Sequence, residues 1–186
     1  RLGNPTLSVA ETRLAAWDES DAAAFFASGM AAISTMLFAL TGPDKPIWYV
    51  GPLYGGTQHI VDDILPSMGV SVKSMESLDD LASVNEADGL PGMIYLETPA
   101  NPTLQIHSIK AAADWAKNNS SEDHRIIVAV DNTFLGPIIQ RPLELGADLN
   151  VYSATKYIGG HSDLIAGAVS GEATAMAKVF EYRTFF

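Results

Sequence analysis

Cysteine is absent from the 186 residues, which excludes a disulfide framework and any thiolate site, whether redox or zinc-binding. Positive charge is scarce: Lys plus Arg number 11 against 22 Asp plus Glu, for a formal net charge of −11. That balance argues against a nucleic-acid partner, because a phosphate backbone demands clustered Lys and Arg. Long apolar runs are missing too, and no stretch approaches the roughly 18 residues that mark a membrane-spanning helix. The chain has no GxGxxG and no Walker sequence, so neither a dinucleotide nor ATP has a fingerprint. No secretory signal pattern opens it, and a cytoplasmic location is expected. Repeats and low-complexity segments are also lacking. What is there is apolar: 47% of residues are hydrophobic and only 18% charged, so disorder is excluded and a sizeable core can form.

Short apolar runs alternate with helical stretches. Strands are expected at Ala22–Ala27, Ile47–Val50, Val70–Met75, Met93–Leu96, Arg125–Val130, Leu149–Ser153 and Ile165–Val169. Helices are expected at Met30–Leu40, Gln58–Met68 and Ile106–Asn118, with an earlier one opened by a Ser8-x-x-Glu11 capping box that places Leu14 and Trp17 on one face. Strands spaced by helices imply βαβ units. The expected fold class is therefore α/β, a mostly parallel sheet with helices on both faces.

Ligands of such sheets sit at the carboxyl ends of the strands, so the residues there are the candidates for chemistry. Asp131 ends the apolar run Ile126–Val130, where a carboxylate is buried and needs a cation or donors. Lys156 follows a strand through Ser153-Ala154-Thr155, and a lysine in a shielded pocket can become a nucleophile toward carbonyls. The pair also fits a plain structural ion pair, and spacing does not choose. Ser28-Gly29-Met30 opens a helix whose free N–H groups favour a phosphate, with Ser153 and Thr155 as added hydroxyls; the same Ser-Gly also fits an ordinary cap. Tyr54, before Gly55-Gly56-Thr57, offers a stacking ring and a proton-moving hydroxyl, or simply a turn. His161-Ser162-Asp163 is no hydrolase triad, since three consecutive residues cannot converge on one point. His59 and His107 read as surface or core residues within helices. The paired aspartates Asp62-Asp63 and Asp79-Asp80 lack metal-like spacing. A lysine, an acid, a phosphate cradle and a stacking ring are together the parts a pyridoxal phosphate site needs.

Six blocks in order, Arg1-x-x-Asn4-Pro5-Thr6, Ser28–Ile33, Tyr54–Thr57, Glu97–Pro102, Val130–Thr133 and Ser153–Asp163, carry a resemblance to a known family. The chain resembles the pyridoxal-phosphate enzymes of cysteine and methionine metabolism, among them cystathionine gamma-synthase, cystathionine gamma-lyase, methionine gamma-lyase and O-acetylhomoserine sulfhydrylase. The resemblance implies a Schiff-base role for Lys156, which would also shuttle protons, and a pyridinium partner in Asp131. It implies phosphate contacts from Gly29, Met30, Ser153 and Thr155. Tyr54 would stack and act in acid–base chemistry, and Asn101 would lie near the cofactor and the substrate carboxylate. Arg1 would reach the phosphate of a neighbouring subunit, which implies a homodimer or homotetramer.

The implied reaction is elimination or replacement at the gamma (or beta) carbon of a sulfur amino acid or activated homoserine. The alternative is a cofactor-binding but inactive fragment or relative. The family's substrate-carboxylate arginine lies in a C-terminal small domain and Arg183 does not match it. Residues 1–186 are thus expected to be the large cofactor-binding domain, a fragment without the N-terminal segment and the small domain. Gly56 stands where methionine gamma-lyases often carry cysteine, which favours a cystathionine- or homoserine-ester-type enzyme.

Overall fold

The computed structural model describes residues 3–84 and 89–185. Arg1, and with it the expected contact to a neighbouring subunit, lies outside the described residues. Seven strands form one sheet: β1 (Ala22–Phe26), β2 (Ile47–Val50), β3 (Val72–Met75), β4 (Met93–Glu97), β5 (Ile127–Asp131), β6 (Leu149–Tyr152) and β7 (Gly167–Gly171). Their order is β1-β7-β6-β5-β4-β2-β3. β3, β2, β4, β5 and β6 pair in parallel, and β7 runs antiparallel to both β6 and β1. Only β7 is reversed, so six strands end at the same edge.

Helices cover both faces, and side-chain alternation along each strand assigns its residues to one layer or the other. Ile47, Tyr49, Met93, Tyr95, Ala129, Leu149 and Val151 pack with α2 (Gly29–Leu40) and α7 (Ala173–Phe185). Trp48, Val50, Ile94, Leu96, Val128 and Val130 pack on the opposite side with Ile109, Ala112 and Ala116 of α5 (Ile109–Asn119). Leu14 of α1 (Pro5–Asp18) seals a third cluster with Ala23, Tyr152 and Ala168. Burial on both faces explains why β2, β4 and β5 read as apolar runs, with an acid only at the last position of β4 and β5, since a parallel strand has no wet side.

Several expected boundaries move. Ser8 and Glu11 form no capping box: Asn4 is the N-cap of α1, accepting from the Thr6 (2.9 Å) and Leu7 (3.4 Å) N–H groups, with Pro5 at the first helical position. The buried face of that helix is Leu14 and Asp18, not Leu14 and Trp17, which is exposed. Asp18 is held inside by the hydroxyls of Tyr152 (2.6 Å) and Ser170, and burial raises its pKa. The stretch expected as one helix over Gln58–Met68 is α3 (Gly55–His59), a π-helical segment Ile60–Ile64, and α4 (Leu65–Ser67). α5 starts at Ile109, which leaves His107 on the preceding loop. The last strand is Gly167–Gly171, two residues later than expected, and Ile165 is exposed. A further short helix, α6 (Gly136–Ile139), follows β5. Among the described residues no helix is long and apolar enough to cross a membrane.

Candidate active site

The side-chain alternation that places Tyr95 on the α2 face also places Glu97, two residues on, and Asp131, two residues after Ala129, on that face. The β4–β5 register sets Glu97 beside Asp131. The N-terminus of α2 meets them there. A cavity of about 300 Å³ results, lined by Gly29, Met30, Tyr54, Glu97, Asn101, Asp131, Ser153, Thr155 and Lys156 together with Ser28, Ile33, Pro99, Thr133, Phe134 and Ile165. Every described site residue predicted from sequence therefore converges on one cavity.

Asp131 is 6% exposed. Its Oδ1 accepts the Thr133 N–H (3.0 Å) and its Oδ2 lies 3.5 Å from the Tyr95 hydroxyl. Burial raises its pKa, against the pull of Thr133. Lys156 is exposed at the rim, and among the described residues no ion pair joins it to Asp131. The plain ion-pair reading therefore fails: the acid is buried without a cation and the amine stands without an acid.

At the helix end, the Ser28 hydroxyl accepts the Ala31 N–H (3.0 Å) and the Ser28 carbonyl accepts the Ala32 N–H (3.0 Å). The Gly29 and Met30 N–H groups keep no acceptor among the described residues, and both residues line the cavity at a helix start, where the dipole favours an anion. Thr133 ties the floor together, its hydroxyl accepting the Ser153 N–H (2.8 Å). The Thr155 hydroxyl donates to the Ala166 carbonyl (3.0 Å) and accepts from the Ala166 N–H (3.0 Å), which fixes the loop leading to Lys156.

Gly29 is required by space. A Cβ there would lie 2.8 Å from Ser153 Cβ and 2.9 Å from Ser153 Cα, so part of the obstacle is backbone. Gly29→Ala is expected to lower folding stability by about 1–3 kcal/mol, the usual range for overpacking, read as a lower urea midpoint. At Gly56 a Cβ would meet Met30 Sδ at 2.7 Å and the Tyr54 ring at 3.0 Å, so a cysteine there would require the Met30 side chain to move.

Glu97 and Thr133 are the members that sequence reasoning passed over. Glu97 is 4% exposed, accepts the Tyr54 N–H at Oε2 (2.7 Å) and the Asn101 N–H at Oε1 (2.8 Å), and has its pKa raised to about 7 by burial and by Asp131. Its signal was legible in hindsight: a lone acid ends the apolar run Met93–Leu96, as Asp131 ends Ile126–Val130.

A buried acid, a free amine and unpaired N–H groups surround one cavity at the carboxyl ends of a mostly parallel sheet, the place where α/β folds bind their ligands. The chain belongs to the Cys/Met metabolism PLP-dependent enzyme family, which matches over residues 1–184. It is 42% identical over 170 residues to an L-methionine gamma-lyase of Pseudomonas deceptionensis, covering 91% of this chain and 41% of that enzyme. It is 38% identical over 179 residues to a chloroplastic cystathionine beta-lyase of Mimosa pudica, covering 96% and 38% respectively. The crystal structure of cystathionine gamma synthase from Xanthomonas oryzae pv. oryzae, in complex with aminoacrylate and cysteine, superposes with a TM-score of 0.88 at 30% identity, over 97% of this chain and 46% of that one. The chain thus spans less than half the length of these relatives. Pyridoxal phosphate is the family's cofactor.

Proposed function

We propose that residues 1–186 are the cofactor-binding domain of an enzyme that eliminates or replaces the gamma (or beta) substituent of a sulfur amino acid or an activated homoserine. The observation that carries this reading is the pairing of an unpartnered Lys156 amine and a buried Asp131 carboxyl in the same cavity as the free Gly29 and Met30 N–H groups. Pyridoxal phosphate presents a phosphate, an aldehyde and a basic ring nitrogen. The donor set suits all three: N–H groups at a helix start, an amine, and an acid that lacks a cation. When bound, the cofactor supplies an electron sink for a substrate carbanion.

The chain's own residues do the remaining work. Lys156 would hold the cofactor through its amine and would move protons between substrate carbons. Asp131 keeps a proton on the ring nitrogen. Gly29 and Met30 donate main-chain N–H groups to the phosphate, and Ser153 and Thr155 flank it. Tyr54, 47% exposed at the mouth, would cover the cofactor ring and offer its hydroxyl to the leaving group. Asn101 faces the substrate side. By the family resemblance Arg1, which lies outside the described residues, would serve a neighbouring subunit's phosphate, and the proposed working unit is a homodimer or homotetramer, with a cytoplasmic location proposed beside it. Gly56 points to cystathionine or a homoserine ester rather than methionine as the substrate.

The test is oxo-acid release by the full-length protein from cystathionine, methionine and a homoserine ester, each with and without an added thiol. Release from cystathionine or the ester is expected, and release that the thiol suppresses marks a replacement enzyme. Efficient release from methionine overturns the use made of Gly56, and no turnover of any substrate leaves the inactive-relative alternative.

A further inference from the structure

We infer that Glu97 is a positioning residue of this site: its buried carboxylate fastens the turn carrying Tyr54 to the turn carrying Asn101, and so sets where both side chains stand against the cavity. The inference rests on the function proposed above for that cavity. Tyr54 and Asn101 come from different loops, after β2 and β4, and neither is held by its own side chain in any hydrogen bond among the described residues. Their main-chain N–H groups instead converge on one carboxyl, one on each oxygen, at 2.7 and 2.8 Å. Among the described residues no other side chain accepts a hydrogen bond from both turns. Two N–H donors on two oxygens suit the ionised form, since a protonated oxygen is a poor acceptor.

The surroundings make the clamp sensitive to what occupies the site. The groups that face Glu97 are Asp131 on β5, Lys156 after β6, Tyr54 at the mouth and Tyr95 on its own strand. Burial and the Asp131 charge push the Glu97 pKa up to about 7, while the Tyr54 and Asn101 N–H groups pull it down. Positive charge arriving beside Asp131 relieves that repulsion and draws Glu97 into the ionised form, which grips both turns. Glu97 touches no reacting atom in this scheme. It acts through Tyr54 and Asn101.

The test uses the full-length protein, selectively 15N-labelled at tyrosine and asparagine, together with the Glu97→Gln and Glu97→Asp variants. In the cofactor-free protein the Tyr54 and Asn101 amide signals are expected to shift with one common midpoint near pH 7. In a folded Glu97→Gln both shifts disappear, because the amide cannot titrate. With pyridoxal phosphate bound, Glu97→Gln is expected to lower kcat by about 100-fold, the scale of a misplacement near 1 Å, while the dissociation constant for pyridoxal phosphate stays within about threefold. Glu97→Asp should restore part of kcat and the common titration.

Two amides that titrate apart, or not at all, in the wild type overturn the inference. So does a folded Glu97→Gln with unchanged kcat. Should Glu97→Gln fail to fold, the wild-type titration and Glu97→Asp decide alone. A protein that binds no pyridoxal phosphate would remove the functional reading instead, because the amide titration needs no cofactor.

Discussion

Lys156→Ala in the full-length protein is expected to lower turnover by at least about 1,000-fold and to leave folding stability within about 0.5 kcal/mol of the wild type. The two halves of that result have separate causes. Lys156 is exposed, and no hydrogen bond or ion pair to its side chain occurs among the described residues, so its removal takes nothing from the fold. Lys156 is nonetheless the one lysine among the described residues that line the cavity, and in the proposed reaction it both holds the cofactor and moves the proton. Turnover assays beside a thermal melt check the pair of outcomes. Turnover within tenfold of the wild type would remove Lys156 from the mechanism.

Asp131→Asn is expected to move stability and activity in opposite directions. The wild-type carboxyl is buried with no cation, and burial raises its pKa. A carboxyl whose folded pKa is raised binds its proton more tightly in the native state. It therefore adds stability at acid pH, and that contribution is lost as pH rises from the ordinary carboxylate range through the folded value. The amide removes this loss while its oxygen still accepts the Thr133 N–H. A gain in stability is expected at neutral pH, shrinking toward zero in acid. Activity should fall by about 100- to 1,000-fold, the scale of removing one preorganised charge from a transition state. Melting curves across pH, set beside turnover, read both effects. A variant less stable at neutral pH than the wild type would mean that Asp131 is a structural acid.

The fold was largely legible because its strands are buried on both faces. β2, β4 and β5 announce themselves as Ile47–Val50, Met93–Leu96 and Ile126–Val130. The misreadings have physical reasons. Ser8 and Glu11 match a capping box by type, but Asn4 followed by Pro5 caps the helix a turn earlier, and Glu11 is spent on the Phe25 N–H (3.2 Å) and Arg183 (2.5 Å). β7 is Gly-Ala-Val-Ser-Gly, small residues wedged between β1 and β6, so packing rather than propensity makes it a strand. The π-helical segment Ile60–Ile64 follows from no residue type in that stretch.

In the site, Asp131 and Lys156 were readable as charges at strand ends. Glu97 has the same signature, but its role depends on Tyr54 and Asn101 folding back onto it, and that is a tertiary fact.

The central claim is that Lys156 holds pyridoxal phosphate. Borohydride treatment of the full-length protein loaded with the cofactor, followed by proteolysis and mass spectrometry, tests it most directly. The account predicts a reduced pyridoxyl adduct on Lys156, with none at the chain's other lysines, Lys45, Lys73, Lys110, Lys117 and Lys178. An adduct on another lysine, or no adduct at all, would contradict it.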